Sequence, residues 1–245
     1  MKPIVVFVHG AFISDSQWWW QPVARILENT QGLSSTTIDL PSCGETPPLA
    51  DLHGDVARVR EVLDSIDSPV ILVGHSYGGA VISAAAEGRT GQVQHLVYIS
   101  AVVPDGKSIV ESDYISDDQR MNPAGHLEVR DDGTVSEGPQ AYKTRVLSGL
   151  PDPQMAEEAT RRLTRQSMHC FIQVAEGTAW KDIPSSYIMC EHDSDVDLPE
   201  QLAQASRTGS TTRVPTNHFA HLERPDLVSE VILQAIAQPA AALSA

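Results

Sequence analysis

The stretch Val70-Ile-Leu-Val-Gly74-His75-Ser76-Tyr77-Gly78-Gly79-Ala80 constrains this chain more than any other. A short apolar run of strand character reaches Gly74, Ser76 stands between glycines, and a small-residue run suited to a helix follows. Gly-x-Ser-x-Gly between a strand and a helix is the pattern of a nucleophile elbow. Its turn is so sharp that the serine takes a strained backbone conformation and the residues two away must lack a bulky Cβ. Such a turn pushes the hydroxyl out at the end of a sheet and aims the N–H groups of the next helix at the reacting atom. The five-residue pattern alone recurs by chance, and the competing reading is a glycine-rich turn without chemistry. The strand before it and the helix after it are the context that the chemistry requires.

The rest of the chain has the rhythm of alternating strands and helices. Ile4 to Val8 is a continuous β-branched and apolar run, as in a parallel strand buried on both faces. A helix is expected from Trp18-Trp19-Trp20 to about Asn29. At consecutive helical positions the three indoles point in different directions, so at least one belongs to the core. A strand over Thr36–Leu40 ends in the turn Pro41-Ser42-Cys43-Gly44. Leu52, Val56, Val59, Leu63 and Ile66 mark one helical face. Val70–Val73 and Gln94–Ala101 are further strands, and crossovers of this length imply right-handed βαβ units.

The rhythm stops between about Pro104 and Gly177. There the chain is acidic and broken by Asp105-Gly106, Asn122-Pro123, Asp131-Asp132-Gly133 and Pro151-Asp152-Pro153. No strand pattern is read in it, and a helix is expected over Gln154–Arg165, so it reads as an inserted helical cap. Strand and helix then alternate again: Ser186–Cys190, Leu198–Ala205, Thr211–Val214 and Leu227–Ala237. The expected organisation is an α/β core over residues 1–103 and 178–238, a cap over 104–177, and a frayed tail over 239–245.

Composition narrows the functional classes. A formal charge of −15 leaves no basic patch for nucleic acid. Cys43, Cys170 and Cys190 are an odd set at unrelated spacings, suggesting neither a disulfide framework nor a zinc site. The N-terminal apolar run is too short for a signal peptide, and no run approaches the ~18 residues of a membrane span. A soluble, cytoplasmic chain is expected, a monomer or homodimer acting on a small molecule, without membrane partner, metal or organic cofactor. Asp193-x-Asp195-x-Asp197 lacks the glycine and the glutamate of a calcium loop.

A serine hydroxyl needs an adjacent base, itself oriented by an acid, and in an open α/β sheet these sit on loops at the carboxyl ends of later strands. Asp193 follows the strand ending at Cys190, with Asp195 and then Glu191 as alternatives. Among nine histidines, His218 follows the strand ending at Val214 and is the candidate base. His221 is assigned to packing or polarising that loop, and His75 and His9 to structure.

These residues carry a resemblance. His9-Gly10-Ala11, Gly74-His75-Ser76-Tyr77-Gly78, Tyr98-Ile99-Ser100-Ala101-Val102-Val103-Pro104, the block from Trp180 to Asp193, and His218 with Glu223-Arg224-Pro225 resemble the α/β-hydrolase superfamily. More narrowly they resemble its bacterial esterases related to the plant methyl-ester esterases and hydroxynitrile lyases. The resemblance implies an α/β-hydrolase fold, a mostly parallel sheet of about six strands flanked by helices, with an inserted helical cap. It implies Ser76 as nucleophile, His218 as base, Asp193 as orienting acid, and the backbone N–H groups of Ala11 and Tyr77 as oxyanion hole. Phe12, Trp180 and Phe219 are the residues expected to touch substrate. Asn217 departs from the glycine usual before the histidine; asparagine tolerates positive φ better than most residues. The resembling lyases carry threonine at the place of Gly10 and lysine at that of Phe219, and an apolar Phe219 does not hold a departing cyanide. The implied activity is therefore hydrolysis of a carboxylic ester, lactone or thioester, with a cap enclosing small apolar substrates. A non-catalytic binder on the same fold is the competing class.

Overall fold

In the computed structural model, which describes residues 1–116 and 127–237, the first half of the chain lays down four parallel strands. They are β1 (Ile4–Val8), β2 (Ser35–Ile38), β3 (Val70–His75) and β4 (Val93–Ile99), joined through α1 (Ser16–Gln31), α2 (Leu52–Asp64) and α3 (Gly78–Ala85). The chain then leaves the sheet for a short hairpin, β5 (Leu127–Val129) with β6 (Thr134–Glu137). Helices α4 (Pro139–Arg145) and α5 (Pro153–Thr160) follow, then β7 (Gln166–Ser167) and the single turn α6 (His169–Ile172). It returns as β8 (Ser185–Cys190), α7 (Leu198–Ala205), β9 (Ser210–Val214), the turn α8 (Ala220–Glu223) and α9 (Pro225–Ala237). The main sheet has six strands, all parallel, in the order β2-β1-β3-β4-β8-β9. No helix among the described residues is long and apolar enough to cross a membrane.

Alternation along each strand divides the core. Val5, Phe7, Ile71, Val73, Val97 and Ile99 face a cluster with Trp19, Trp20, Val23 and Leu27 of α1 and Val228 and Ile232 of α9. Val6, Val8, Leu72, Leu96 and Tyr98 face the other side, with Val56, Val59 and Leu63 of α2 and the small residues of α3. Period-two side chains on both faces of a parallel sheet need helices on both faces, which explains the unbroken apolar strands. Two of the three tryptophans are core: Trp19 and Trp20 are fully buried, and Trp20 lies between Phe7 at 4.6 Å and His221 at 4.3 Å. Trp18 lies under the Arg162 guanidinium.

The inserted segment differs from the all-helical expectation. Strands β5, β6 and β7 form a three-stranded antiparallel sheet. Its hairpin turns at Asp131-Asp132-Gly133, where Gly133 has φ 78° and Asp132 Oδ1 accepts from the N–H and hydroxyl of Thr134. Asp-Gly between two short alternating stretches is a hairpin signal, here partly masked by the charges around it. Helix α5 ends at Thr160, not Arg165, because the chain there crosses to the core: Ile13 bridges Leu163, and Thr164 N–H donates to the Phe12 carbonyl. Asn122-Pro123 and the tail over 239–245 lie outside the described residues.

The turn from β3 into α3 is the tightest point of the fold. A Cβ on Gly78 would stand 2.5 Å from the His9 carbonyl oxygen and 2.8 Å from that of Val8, and one on Gly74 would stand 2.8 Å from the Gly78 carbonyl oxygen. These neighbours are backbone and cannot rotate away. Gly78→Ala is therefore expected to push α3 off β1 and to lower unfolding free energy by roughly 1–3 kcal/mol. Urea denaturation of the two proteins measures it, and an unchanged midpoint would contradict this packing.

Candidate active site

Ser76 sits at the elbow with φ 52°, a left-handed conformation rare for a residue with a Cβ. Its neighbours hold it there: Ser76 N–H donates to the Ile99 carbonyl at 3.1 Å, and the Ser76 carbonyl accepts from Val102 N–H at 3.1 Å and Gly79 N–H at 3.1 Å. The hydroxyl lies at the carboxyl end of the central strand, beneath the inserted segment. Gly10 packs against it so closely that a Cβ there would stand 3.0 Å from Ser76 Cβ and 2.9 Å from His75 Nδ1. A threonine at this position has no room without moving the elbow.

His218 and Asp193, on the loops after β9 and β8, form a pair in which His218 Nδ1 and Asp193 Oδ2 are 2.8 Å apart, each side chain 1% exposed. Asp193 Oδ1 accepts from the backbone N–H of Asp195 and Val196, and Ser100 Oγ donates to Oδ2. Burial works to raise the Asp193 pKa, but the His218 charge and these donors outweigh it and hold the carboxyl below its ordinary value. Burial likewise opposes protonation of His218, yet Asp193 and then Asp195 raise its pKa above the ordinary one. The carboxylate accepts at Nδ1, so Nδ1 carries a proton and Nε2 is the nitrogen turned to the site.

Among the described residues, the Ser76 hydroxyl bonds Tyr114 Oη at 3.0 Å, not His218. Tyr114 also donates to the Ser100 carbonyl at 3.0 Å. Tyr114 has one proton and a carbonyl only accepts, so Ser76 donates to Tyr114. Ser100, with φ 40°, therefore joins the two halves of the site, its carbonyl toward Tyr114 and Ser76, its hydroxyl toward Asp193. In the sequence Ser100 stood only within the stretch Tyr98–Pro104, with no role of its own, and no spacing marked Tyr114 as a partner of Ser76.

The remaining histidines hold the frame. His9 accepts the Leu40 N–H at Nε2 and donates from Nδ1 to the Gly10 carbonyl, fixing the turn that presents Ala11. His75 donates from Nε2 to the His218 carbonyl at 3.0 Å, tying the loop after β9 to the elbow. Burial lowers the pKa of both, and moves that of His221 down to about 3. Asn217 has no positive φ, so the backbone reading of this departure is corrected. Its value lies in the side chain: Oδ1 accepts from Ser194 N–H, Ser194 Oγ and His218 N–H at 2.8–2.9 Å, joining the acid and base loops.

Asp55 on α2 is fully buried behind the elbow and accepts from Ser42 N–H, Ser42 Oγ and Tyr77 Oη at 2.6–2.9 Å. Burial pushes its carboxyl up to about 6 despite those donors. Ser42 in turn accepts from Gln166 Nε2, whose Oε1 accepts the Phe12 N–H. One network thus holds the ring of Tyr77 and the loop carrying Ala11. The hydrogen bonds of the described residues leave the N–H groups of Ala11 and Tyr77 without an acceptor.

The candidates for substrate contact separate. Phe12 stacks on Phe171 of α6 at 5.8 Å. Trp180 is half-buried and donates from Nε1 to the Pro104 carbonyl. Phe219 is fully buried, packed against Trp19, His75, Tyr142 and His218. Cys190 is buried, with a thiol pKa well above the ordinary one, as for a small core hydrophobe.

The profile of the Alpha/beta hydrolase family matches residues 5–231, and the chain belongs to that family. It is 28% identical over 253 residues to Alpha/beta hydrolase nvfD of Aspergillus novofumigatus (strain IBT 16806), covering 96% of this chain and 97% of that one. It is 25% identical over 260 residues to Methylesterase 2 of Arabidopsis thaliana, covering 95% of each. A pyrethroid hydrolase from Sphingobium faniae JZ-2 superposes with a TM-score of 0.80 at 21% identity, over 98% of this chain and 99% of that one, a likeness of fold.

If Asn217 Oδ1 joins the two loops, Asn217→Gly, which keeps the backbone free and strands three donors, lowers stability by roughly 1–3 kcal/mol. Thermal unfolding checks this, and a glycine variant as stable as the parent would contradict it.

Proposed function

We propose that the protein hydrolyses a small, mainly apolar carboxylic ester, or a close acyl relative such as a lactone or thioester, through an acyl-serine intermediate. The observation that carries this reading is the buried His218–Asp193 pair held in one hydrogen-bonded cluster with Ser76 on its left-handed turn. Relatives named methylesterase and polyneuridine aldehyde esterase support ester chemistry.

In the proposed reaction the Ser76 hydroxyl turns from Tyr114 to His218 Nε2 and attacks the acyl carbon while His218 takes its proton. The carbonyl oxygen becomes an oxyanion, accepted by the N–H groups of Ala11 and Tyr77. Each such donor is worth about 3 kcal/mol of barrier. The tetrahedral intermediate expels the alcohol's oxygen, which receives the proton from His218. Water then attacks the acyl-serine, giving a proton to His218; its collapse returns that proton to Ser76 and releases the carboxylic acid. Asp193 keeps His218 in the Nδ1–H tautomer and stabilises the imidazolium throughout. Gly10 and Phe219 argue against the lyase alternative, since neither offers a hydroxyl or a cation to a cyanohydrin.

Charge around the site favours neutral substrates. The arginines of the inserted segment are engaged with carboxylates: Arg161 with Glu158, Arg162 with Asp15 and Glu158, Arg165 with Asp132 and Glu45. Arg145, which does reach the site, is shared between Asp195 at 2.6 Å and Glu137 at 2.5 Å. An anionic acyl group entering there loses hydration without gaining a cation. The second reading, a non-catalytic binder, is favoured by one observation, the bond of Ser76 to Tyr114 in place of His218.

Turnover of a p-nitrophenyl short-chain ester separates the two. Ser76→Ala is expected to leave folding intact and less than about a thousandth of the parent kcat; a binder shows no turnover in either protein. Asp193→Asn, which leaves His218 in the wrong tautomer, is expected to cost about 10³–10⁴ in kcat. Among esters of matched size, neutral members are expected to have the higher kcat/KM, and a preference for half-esters of dicarboxylic acids would show a cation available in the pocket.

A further inference from the structure

The imidazole of His218 is flanked by a carboxylate on each side. Asp193 holds Nδ1, and Asp195 Oδ2 stands 3.6 Å from Nε2, the nitrogen that must accept the serine proton. Asp195 comes from the same loop two residues on, and its side chain is 26% exposed, so its charge is only partly screened. From geometry, we propose that Asp195 is a positioning residue that holds His218 in its doubly protonated form at rest and thereby sets the pH above which the site becomes basic.

Three observations converge. First, a carboxylate accepts and never donates, so the form of His218 that both neighbours favour is the imidazolium, with a proton on each nitrogen. Second, the Ser76 proton is directed to Tyr114, so the serine does not supply Nε2 with the donor that would require the nitrogen to be bare. Third, the other groups facing His218 leave the balance with the carboxylates. His75 presses from the elbow and His221 from the next turn, but both are held neutral by burial. Tyr114 is a neutral hydroxyl whose pKa burial raises well above the ordinary one. Glu223 adds negative charge from α8, its pKa raised by burial. Arg145, on α4, is the cation that opposes protonation of His218, and it is shared between Asp195 and Glu137.

Arg145 therefore tempers the device. It draws on one oxygen of Asp195, Oδ1 at 2.6 Å, while Oδ2 is the one near His218. It also donates to the Ser194 carbonyl, so the inserted segment holds the loop that carries both carboxylates. Weakening the Arg145–Asp195 contact strengthens the hold of Asp195 on His218, and neutralising Asp195 releases the base.

The consequence has a definite sign. Removing the Asp195 charge lowers the His218 pKa, so neutral imidazole persists to lower pH. Removing the Arg145 charge raises it. This rests on His218 being the base, but its direct test does not need turnover. In protein labelled with 15N-histidine, the His218 ring resonances, assigned by their loss in His218→Ala, are titrated in the parent, Asp195→Asn and Arg145→Gln. The His218 midpoint is expected to fall by roughly one pH unit in Asp195→Asn and to rise in Arg145→Gln. A midpoint unmoved or raised in Asp195→Asn overturns the proposal. The acid limb of kcat/KM for a neutral ester is expected to move with the midpoint; a midpoint that shifts without any esterase activity would leave Asp195's role standing and remove the proposed function. Activity lowered equally at every pH, with the midpoint fixed, identifies a merely structural Asp195.

Discussion

The site depends first on the near-contact between the elbow and β1. Because Gly78 rests on the carbonyls of Val8 and His9, the helix after Ser76 begins directly beside the loop that bears Gly10 and Ala11. The N–H groups of Ala11 and Tyr77, from distant parts of the chain, are both left without an acceptor by the hydrogen bonds of the described residues. The strain of the left-handed serine is balanced locally, by the backbone bonds to Ile99, Val102 and Gly79. A rigid sheet supplies the geometry, and the loops at its carboxyl end supply the chemistry.

Around that contact, buried polar groups take the place of hydrophobic packing. Asp55 holds Tyr77, His9 holds the turn before Ala11, His75 holds the carbonyl of His218, and Asn217 ties the acid loop to the base loop. Each is buried and makes at least one directional bond, so each fixes an orientation that apolar contact leaves free, although His75 Nδ1 has no hydrogen-bond partner among the described residues. Phe219, Trp19 and Trp20 back this frame with aromatic bulk, and their stacking places a core cluster immediately behind the histidine. The inserted segment closes the front with Tyr114 against Ser76 and Arg145 against Asp195.

How much of this was legible in the sequence follows the range of the interactions. Strand and helix periods are local, and β1, α7 and the elbow fall where they were read. Asp193 and His218 were legible because a strand end is a local signal and the sheet brings successive strand ends together. Asp55, Tyr114, Arg145 and Ser100 were not, since their contacts with Tyr77, Ser76, Asp195 and Asp193 span 22, 38, 50 and 93 residues and leave no spacing in the sequence. The hairpin in the inserted segment was missed for a different reason. Its strands are three and four residues long, too short for alternation to stand out from the charged residues between them. Phe219, expected to touch substrate, is fully buried in the cluster with Trp19 and Tyr142.

The central claim is that Ser76 carries the acyl group. It is tested most directly by reacting the protein with a p-nitrophenyl ester, quenching in acid within the first turnover, and locating the added mass by peptide mapping. The account predicts one acyl group, on the peptide containing Ser76, and none in Ser76→Ala. Acylation at another residue, or ester turnover with no acylated peptide in a burst of nitrophenol release, would contradict it.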